Sequence, residues 1–266
     1  VADAVKELQC ELTGNSFHVH MYMGVYEIRD REEAVSIMVE KANIAADTIK
    51  NNYDCCVAYY DEHLLEISIE QRRLLGEFEP ALQNDEFVMY LQPQVKRDGA
   101  AKGAEALVRW VHPSRGILTP YAFIDILENA GLIYKLDLYI WEKAAQKLAE
   151  WKEKGYGSYH ISVNISTKDF YIIDIYETFT GLINKYGIAA SNLHLEITET
   201  TLMTDFEKNM NIIHKLQGVG FRVEIDDFGS GYSSLNMLKD ISADVLKIDM
   251  GFLRKSENEV KGQDIL

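Results

Sequence analysis

Cysteine and proline are both scarce in this chain, with three Cys and four Pro in 266 residues. Cys10, Cys55 and Cys56 make no disulfide framework, which argues for a reducing compartment and a cytoplasmic setting. The neighbours Cys55 and Cys56 read as strand residues rather than as a redox or metal pair. Positive charge is also short, with 27 Lys and Arg against 42 Asp and Glu, for a net charge of −15. That balance excludes a nucleic-acid polymer as partner, because phosphate backbones select basic surfaces. A small phosphate-bearing ligand stays open, since a bound cation inverts the local field. No apolar run approaches the ~20 residues of a membrane-spanning helix, and no signal peptide is present. No membrane contact is therefore expected within the chain. It starts at Val1 rather than Met, which suggests a fragment of something longer, with any sensor or membrane tether upstream. The GxxxxGK[ST] phosphate loop is missing too. What remains is 47% hydrophobic and 11% aromatic, the composition of a globular protein with a sizeable core.

The pattern of apolar residues divides the chain near residues 76–84, and all the prolines lie between Pro80 and Pro120. Residues 1–75 read as a small α/β piece. Val1–Leu8 looks like a helix end, and 17–28 alternates like a strand, with Val19, Met21, Met23 and Val25 on one side. A helix over 32–51 carries the stripe Ala34, Val35, Met38, Val39 and Ala42; a short strand follows at 55–60 and a charged helix at 62–82. From residue 76 onward, strands alternate with helices. The strands fall at 86–95, 103–110, 159–166, 192–198, 221–226 and 244–249, with helices at 121–130, 136–153, 168–186 and 204–217. A βαβα run of this kind predicts an α/β fold with a parallel sheet, open or closed into a barrel.

The polar residues on those strands are the informative ones. Ile161, Val163 and Ile165 share a face and leave Asn164 on the other; Leu193, Leu195 and Ile197 leave Glu196; Phe221, Val223 and Ile225 leave Asp226. Glu105 and Arg109 share a side of their strand, as do Lys247 and Asp249. These groups sit near the carboxyl ends of their strands, the rim where barrel active sites form. Taken singly, a strand-end aspartate is more often a turn or helix-cap residue than a ligand. Together, hard oxygen ligands on separate strand ends suit Mg2+ or Mn2+, and the seven scattered histidines, His18 and His20 among them, offer no zinc cluster. The loop Gly229–Ser234 can present amides to a phosphate, or can simply be a turn that caps a helix. Residue chemistry alone reaches metal-dependent phosphoester chemistry at a barrel rim and stops there.

Glu105-Ala106-Leu107 followed by Val108-Arg109-Trp110 resembles the signature of the EAL family. Gln92-Pro93, Asn164 in SVNIS, Glu196 and Glu199 in EITET, DDFGSGYSSL at 226–235 and KID at 247–249 are similar to its other motifs, in family order over residues 76–266. The resemblance implies a TIM-like (β/α)8 barrel that hydrolyses cyclic di-GMP to linear pGpG with two divalent cations, Mg2+ or Mn2+. It implies that Glu105, Asn164, Glu196 and Asp226 hold metal and that Asp227 belongs to the second ion. Lys247 would orient the attacking water or stabilise charge, acting with Glu105 and Asp226 in catalysis. Gln92, Leu107, Arg109 and Asp249 would contact the nucleotide. Glu199, Gly229, Ser230 and Gly231 would support the second metal and couple it to a homodimer interface. Residues 1–75 resemble the last part of a GGDEF domain, without its signature, so a regulatory or degenerate remnant is expected there.

Residues 76–266 fall short of the ~250 that an eight-stranded barrel needs. The barrel is therefore expected to be truncated after its sixth strand, with open edges at 86–95 and 244–249 and poor hydrolysis by this chain alone. A cyclic di-GMP phosphodiesterase is the leading reading. A receptor that binds the nucleotide without cutting it is the alternative, and a dimerisation scaffold is a third.

Overall fold

The computed structural model describes residues 21–50, 56–229 and 242–249. They belong to two compact units, 1–77 and 78–266. In the first, β1 (Met23–Val25) pairs in parallel with β2 (Val57–Tyr59), and α1 (Val35–Asp47) packs on β1. A side chain at Gly24 would lie 1.7 Å from the carbonyl oxygen of Ala42, so only glycine lets the helix seat this closely. That contact falls on the second half of α1, which buries Ile44 and Ala45. Val35 and Val39, expected on the buried stripe, are exposed instead, because the three-residue β1 does not reach the first turns of the helix. The expected elements at 1–8 and over 17–20, together with His18, His20, Cys10 and Cys55, lie outside the described residues. Helix α2 (Glu62–Gln83) runs from the first unit into the second.

The second unit is built on a sheet of β3 (Phe87–Val95), β4 (Ala101–His112), β5 (Gly116–Leu118), β6 (His160–Asn164), β7 (Leu193–Thr198), β8 (Arg222–Phe228) and β9 (Val245–Ile248). The order is β3-β4-β6-β7-β8-β9, with β5 added on β4. From β4 through β6 to β9 the pairings are parallel, as the alternating pattern predicts. The β3–β4 pair is antiparallel, which corrects the expectation of a wholly parallel sheet. Only Lys96–Ala100 joins the two strands, whereas a parallel crossover takes a dozen residues or more. The turn is closed by Lys96 N donating to Ala100 O at 2.9 Å, and Asp98-Gly99 is its sequence signal. Among the described strands the path is open, ending at β3 and β9, and no closed barrel is formed.

Helices α3 (Ile124–Asn129), α4 (Ile133–Glu153), α5 (Asp169–Ile172), α6 (Ile175–Tyr186), α7 (Glu199–Thr204) and α8 (Phe206–Val219) lie between the strands. In α4 the buried residues Ile133, Leu136, Ile140, Trp141, Ala144, Ala145 and Leu148 follow helical spacing. The single helix expected over 168–186 is broken at Asp174, whose carboxylate accepts from Glu177 N at 3.0 Å and starts α6 afresh. The apolar strand set is fully buried, from Ile161 and Val163 through Leu193 and Leu195 to Val223 and Ile225. Trp141 and Phe179, with ring centroids 4.5 Å apart, belong to this layer, and Phe179 reaches Phe221 at 6.0 Å. At the hairpin end, Phe78, Phe87, Trp110 and Phe123 form a second aromatic cluster. Burial of each Phe there contributes roughly 1.5–3 kcal/mol.

Candidate functional site

The opposite face of the sheet carries the polar set. Its register pairs Gln92 with Glu105, Glu105 with Ser162, Asn164 with Glu196, and Thr198 with Asp226. Lys247 on β9 crosses this face. Its Nζ lies 2.8 Å from Glu105 Oε2 on β4 and forms an ion pair with Glu196 on β7. Strands β4 and β9 are separated in the sheet by β6, β7 and β8, which in a flat sheet would hold them about 19 Å apart. A direct Lys–Glu contact requires the sheet to curl around its polar face, so the curvature of a barrel is present without its closure.

Glu196 is wholly buried, and neither of its carboxylate oxygens has a hydrogen bond of good geometry. Burial pushes this carboxyl up to about 8, against the pull of the Lys247 hydrogen bond and charge; a hydrogen bond shared with Asp226 and the charge of Glu105 add to the rise. Burial works against the Lys247 ammonium, yet its hydrogen bonds to Glu105 and Glu196 hold it above the usual lysine range. Asp226 and Asp227 follow at the end of β8. The β8–β9 register shifts between Ile225 and Phe228, and Asp227 takes a left-handed φ of 54°. Neighbouring side chains of a regular strand point to opposite faces, and this irregularity is what relaxes that rule for the two aspartates. Burial, Asp226 and Asp249 all raise the Asp227 carboxyl, with Lys247 opposing.

Five carboxyls, those of Glu105, Glu196, Asp226, Asp227 and Asp249, thus crowd the rim around one lysine. The buried oxygens of Glu196, with the other carboxyls around them, fit a hard divalent cation. Asn164 is exposed at the end of β6, and its backbone carbonyl accepts from Trp141 Nε1 at 2.9 Å, which fixes that strand end on α4. Thr198 caps α7, so Glu199 is the first helical residue, buried, and its Oε2 accepts from Gly229 N at 2.8 Å. Arg109 donates to Val108 O at 2.8 Å and lies 5.6 Å from the centre of the Tyr90 ring. Leu107 is half-buried, and Gln92 is exposed. Ser230 and Gly231 lie outside the described residues.

Residues 76–266 match the EAL domain family. The chain belongs to the EAL domain family. It is 33% identical over 212 residues to the bifunctional diguanylate cyclase/cyclic di-GMP phosphodiesterase MucR of Pseudomonas aeruginosa, covering 79% of this chain and 30% of that protein. It is 31% identical over 186 residues to the cyclic di-GMP phosphodiesterase PdeR of Escherichia coli, covering 70% of this chain and 28% of PdeR. The chain therefore spans about a third of the curated relatives it matches. Among solved structures, the PaMucR phosphodiesterase in complex with c-di-GMP superposes with a TM-score of 0.67 at 34% identity, over 73% of this chain and 78% of that one. No helix among the described residues is long and apolar enough to cross a membrane.

Beneath the carboxylate rim of this EAL domain lies a second polar layer. His160 and His194 stack with centroids 3.7 Å apart and ring planes within 3°, and His194 Nδ1 lies 2.6 Å from Glu224 Oε1. The three side chains come together as a candidate ligand set, which corrects the expectation that the histidines are scattered. Their separation in sequence hides them; parallel β6, β7 and β8 bring them side by side. Glu224 was legible, since it alternates in step with Asp226.

A further acid pair, buried Asp169 and half-buried Asp137, braces the loop after β6. Asp169 Oδ2 accepts from Ser166 N at 2.8 Å, and Oδ1 has no donor unless Asp137 on α4 carries a proton. Burial, then the charge and hydrogen bond of Asp169, lift Asp137 well above its ordinary 3.8; burial also lifts Asp169, against its bonds to Asp137 and Ser166. Both folded pKa values are raised, so the pair's contribution to stability is complete in acid and is lost as pH climbs past the ordinary aspartate range. Asp137→Asn keeps a donor to Asp169 without the charge. At neutral pH it is expected to raise the thermal midpoint by about 2–4 °C, the equivalent of about 1 kcal/mol. The gain shrinks toward zero in mild acid, and equal destabilisation at every pH would refute the shared proton.

Proposed function

We propose that this EAL domain hydrolyses cyclic di-GMP to linear pGpG with two divalent cations, Mg2+ or Mn2+. The observation that carries this is the convergence of Glu105, Asp226 and Lys247, from three other strands, on the wholly buried carboxylate of Glu196. Glu105, Asn164, Glu196 and Asp226 would hold the first cation, and Asp227 would belong to the second. Such a pair supplies Lewis acidity and a nucleophilic water at neutral pH. Lys247 orients that water and offsets charge building on the phosphate. Gln92, Leu107, Arg109 and Asp249 line the nucleotide, while Glu199 anchors the loop that begins at Gly229 and continues through Ser230 and Gly231. We also read residues 1–75 as a degenerate GGDEF remnant, and the protein as a cytoplasmic homodimer joined through its EAL domains. The names of MucR and PdeR agree with the activity.

The direct test incubates the full-length protein, since this chain alone is expected to hydrolyse poorly, with cyclic di-GMP and Mg2+ or Mn2+ and separates the nucleotides. Formation of pGpG is expected; binding without product selects a receptor, and neither selects a scaffold. Arg109→Ala is expected to weaken nucleotide binding about tenfold, because a guanidinium is suited to paired phosphate oxygens. Mg2+ affinity should stay put. Calorimetry with unchanged nucleotide affinity would remove Arg109 from the site.

A further inference from the structure

We propose that His160, His194 and Glu224 form a separate buried site for a borderline transition cation of the Zn2+ class, one layer beneath the carboxylate rim. The three residues are 4%, 2% and 2% exposed, and a ring nitrogen from each histidine and a Glu224 oxygen lie within 4.8 Å of one another. Two imidazoles and a carboxylate are the donor set of zinc, not of Mg2+, which prefers oxygen alone. His194 precedes Glu196 by two residues and Glu224 precedes Asp226 by two on the same face, and Glu224 lies beside Glu196 in the β7–β8 register.

Two observations point to a ligand rather than to a plain hydrogen-bond chain. Glu224 Oε2 is buried with no hydrogen-bond partner. A buried carboxylate in that condition is costly unless a cation meets it. Burial and the neighbouring His194 push His160 down to about 4, which leaves that imidazole neutral with a free lone pair. The ring is also oriented from behind. Gln94 Oε1 lies 2.7 Å from His160 Nε2, and Gln94 Nε2 donates to Ser162 Oγ at 3.3 Å, the kind of outer support that fixes a ligating histidine. On its other side Gly103 makes the room, because a Cβ there would come within 2.6 Å of the imidazole.

Parallel stacked rings do not aim two lone pairs at one ion. Ligation therefore turns one ring about its Cβ–Cγ bond, a torsion with a broad well. Donors on a tetrahedral zinc stand about 3.3–3.5 Å apart, so the cluster closes by about 1 Å.

The test strips the full chain with a chelator and titrates it with Zn2+ in excess Mg2+, with Co2+ as a spectroscopic stand-in. Retained zinc is measured after gel filtration. An equivalent of Zn2+ should stay bound, and Co2+ should give the visible band of nitrogen ligation. His194→Asn and Glu224→Gln should each weaken Zn2+ binding about tenfold or more, with the circular dichroism unchanged. Glu105→Gln and Asp226→Asn should leave it in place. Glu224→Gln preserves shape and hydrogen bonding, so it remains decisive if the histidine variant misfolds. Three results overturn the site: no retained zinc, wild-type zinc in Glu224→Gln, or zinc lost through Asp226→Asn instead.

Discussion

Asp226→Asn is expected to lower metal-dependent cleavage of cyclic di-GMP by about 10^2–10^3-fold or more, while the thermal midpoint holds steady or rises. The two halves of that result have one cause. Asp226 shares a hydrogen bond with Glu196, lies beside Asp227 and adds to the charge that raises the Asp227 carboxyl. An amide of the same shape removes that repulsion, so the fold loses nothing. The cations lose the ligand that would lie between them, and a missing electrostatic contact to a developing charge costs about 3–4 kcal/mol of barrier. Parallel measurement of pGpG formation and thermal unfolding checks both. Near-normal turnover would sink the two-cation assignment, and a large fall in stability would show that Asp226 serves the fold.

The second large effect concerns the lysine. Above about pH 8, where Glu196 carries its charge, Lys247→Met should destabilise the protein by about 3 kcal/mol, because removing one partner of a buried pair leaves the other uncompensated. For a domain of this size that lowers the midpoint by about 6–12 °C. Glu196 is wholly buried, while Glu105 and Lys247 retain about a fifth of their side-chain exposure, so most of the cost falls on Glu196. Glu196→Gln added to Lys247→Met should therefore recover more than half of the loss. Equal midpoints for wild type and Lys247→Met, read by calorimetry without added metal, would mean that the ion pair contributes nothing to cohesion.

Much of this architecture is written in short-range pattern. The alternation in ISVNIS, LHLEITE and FRVEIDD assigns the buried apolar face, because one side of each strand must pack on helices. The same alternation delivers Asn164, Glu196 and Asp226 to strand ends. Two further features are written locally: Asp98-Gly99, a hairpin signal, and Asp174, a helix cap in the middle of an apolar run. The rest is non-local. The ion pair of Lys247 with Glu105 joins residues 142 positions apart and depends on sheet curvature, which no window of sequence encodes. The stack of His160 on His194 depends on the parallel register of β6 and β7. The pairing of Asp137 with Asp169 depends on where α4 meets the loop after β6.

The left-handed backbone of Asp227 has an evolutionary consequence. A non-glycine residue held there carries about 1–2 kcal/mol of strain, and the crowding of its carboxylate adds to the load. Replacement by glycine would relieve both at once, just as an amide at 226 relieves repulsion. Under the proposed function, drift away from the two acids runs downhill in folding free energy, and selection for turnover is what would hold them in place. A lineage released from that selection would slide toward a sturdier protein that still offers Arg109 to a phosphate. Non-hydrolytic nucleotide receptors are thus the expected fossils of a fold that pays for chemistry in stability.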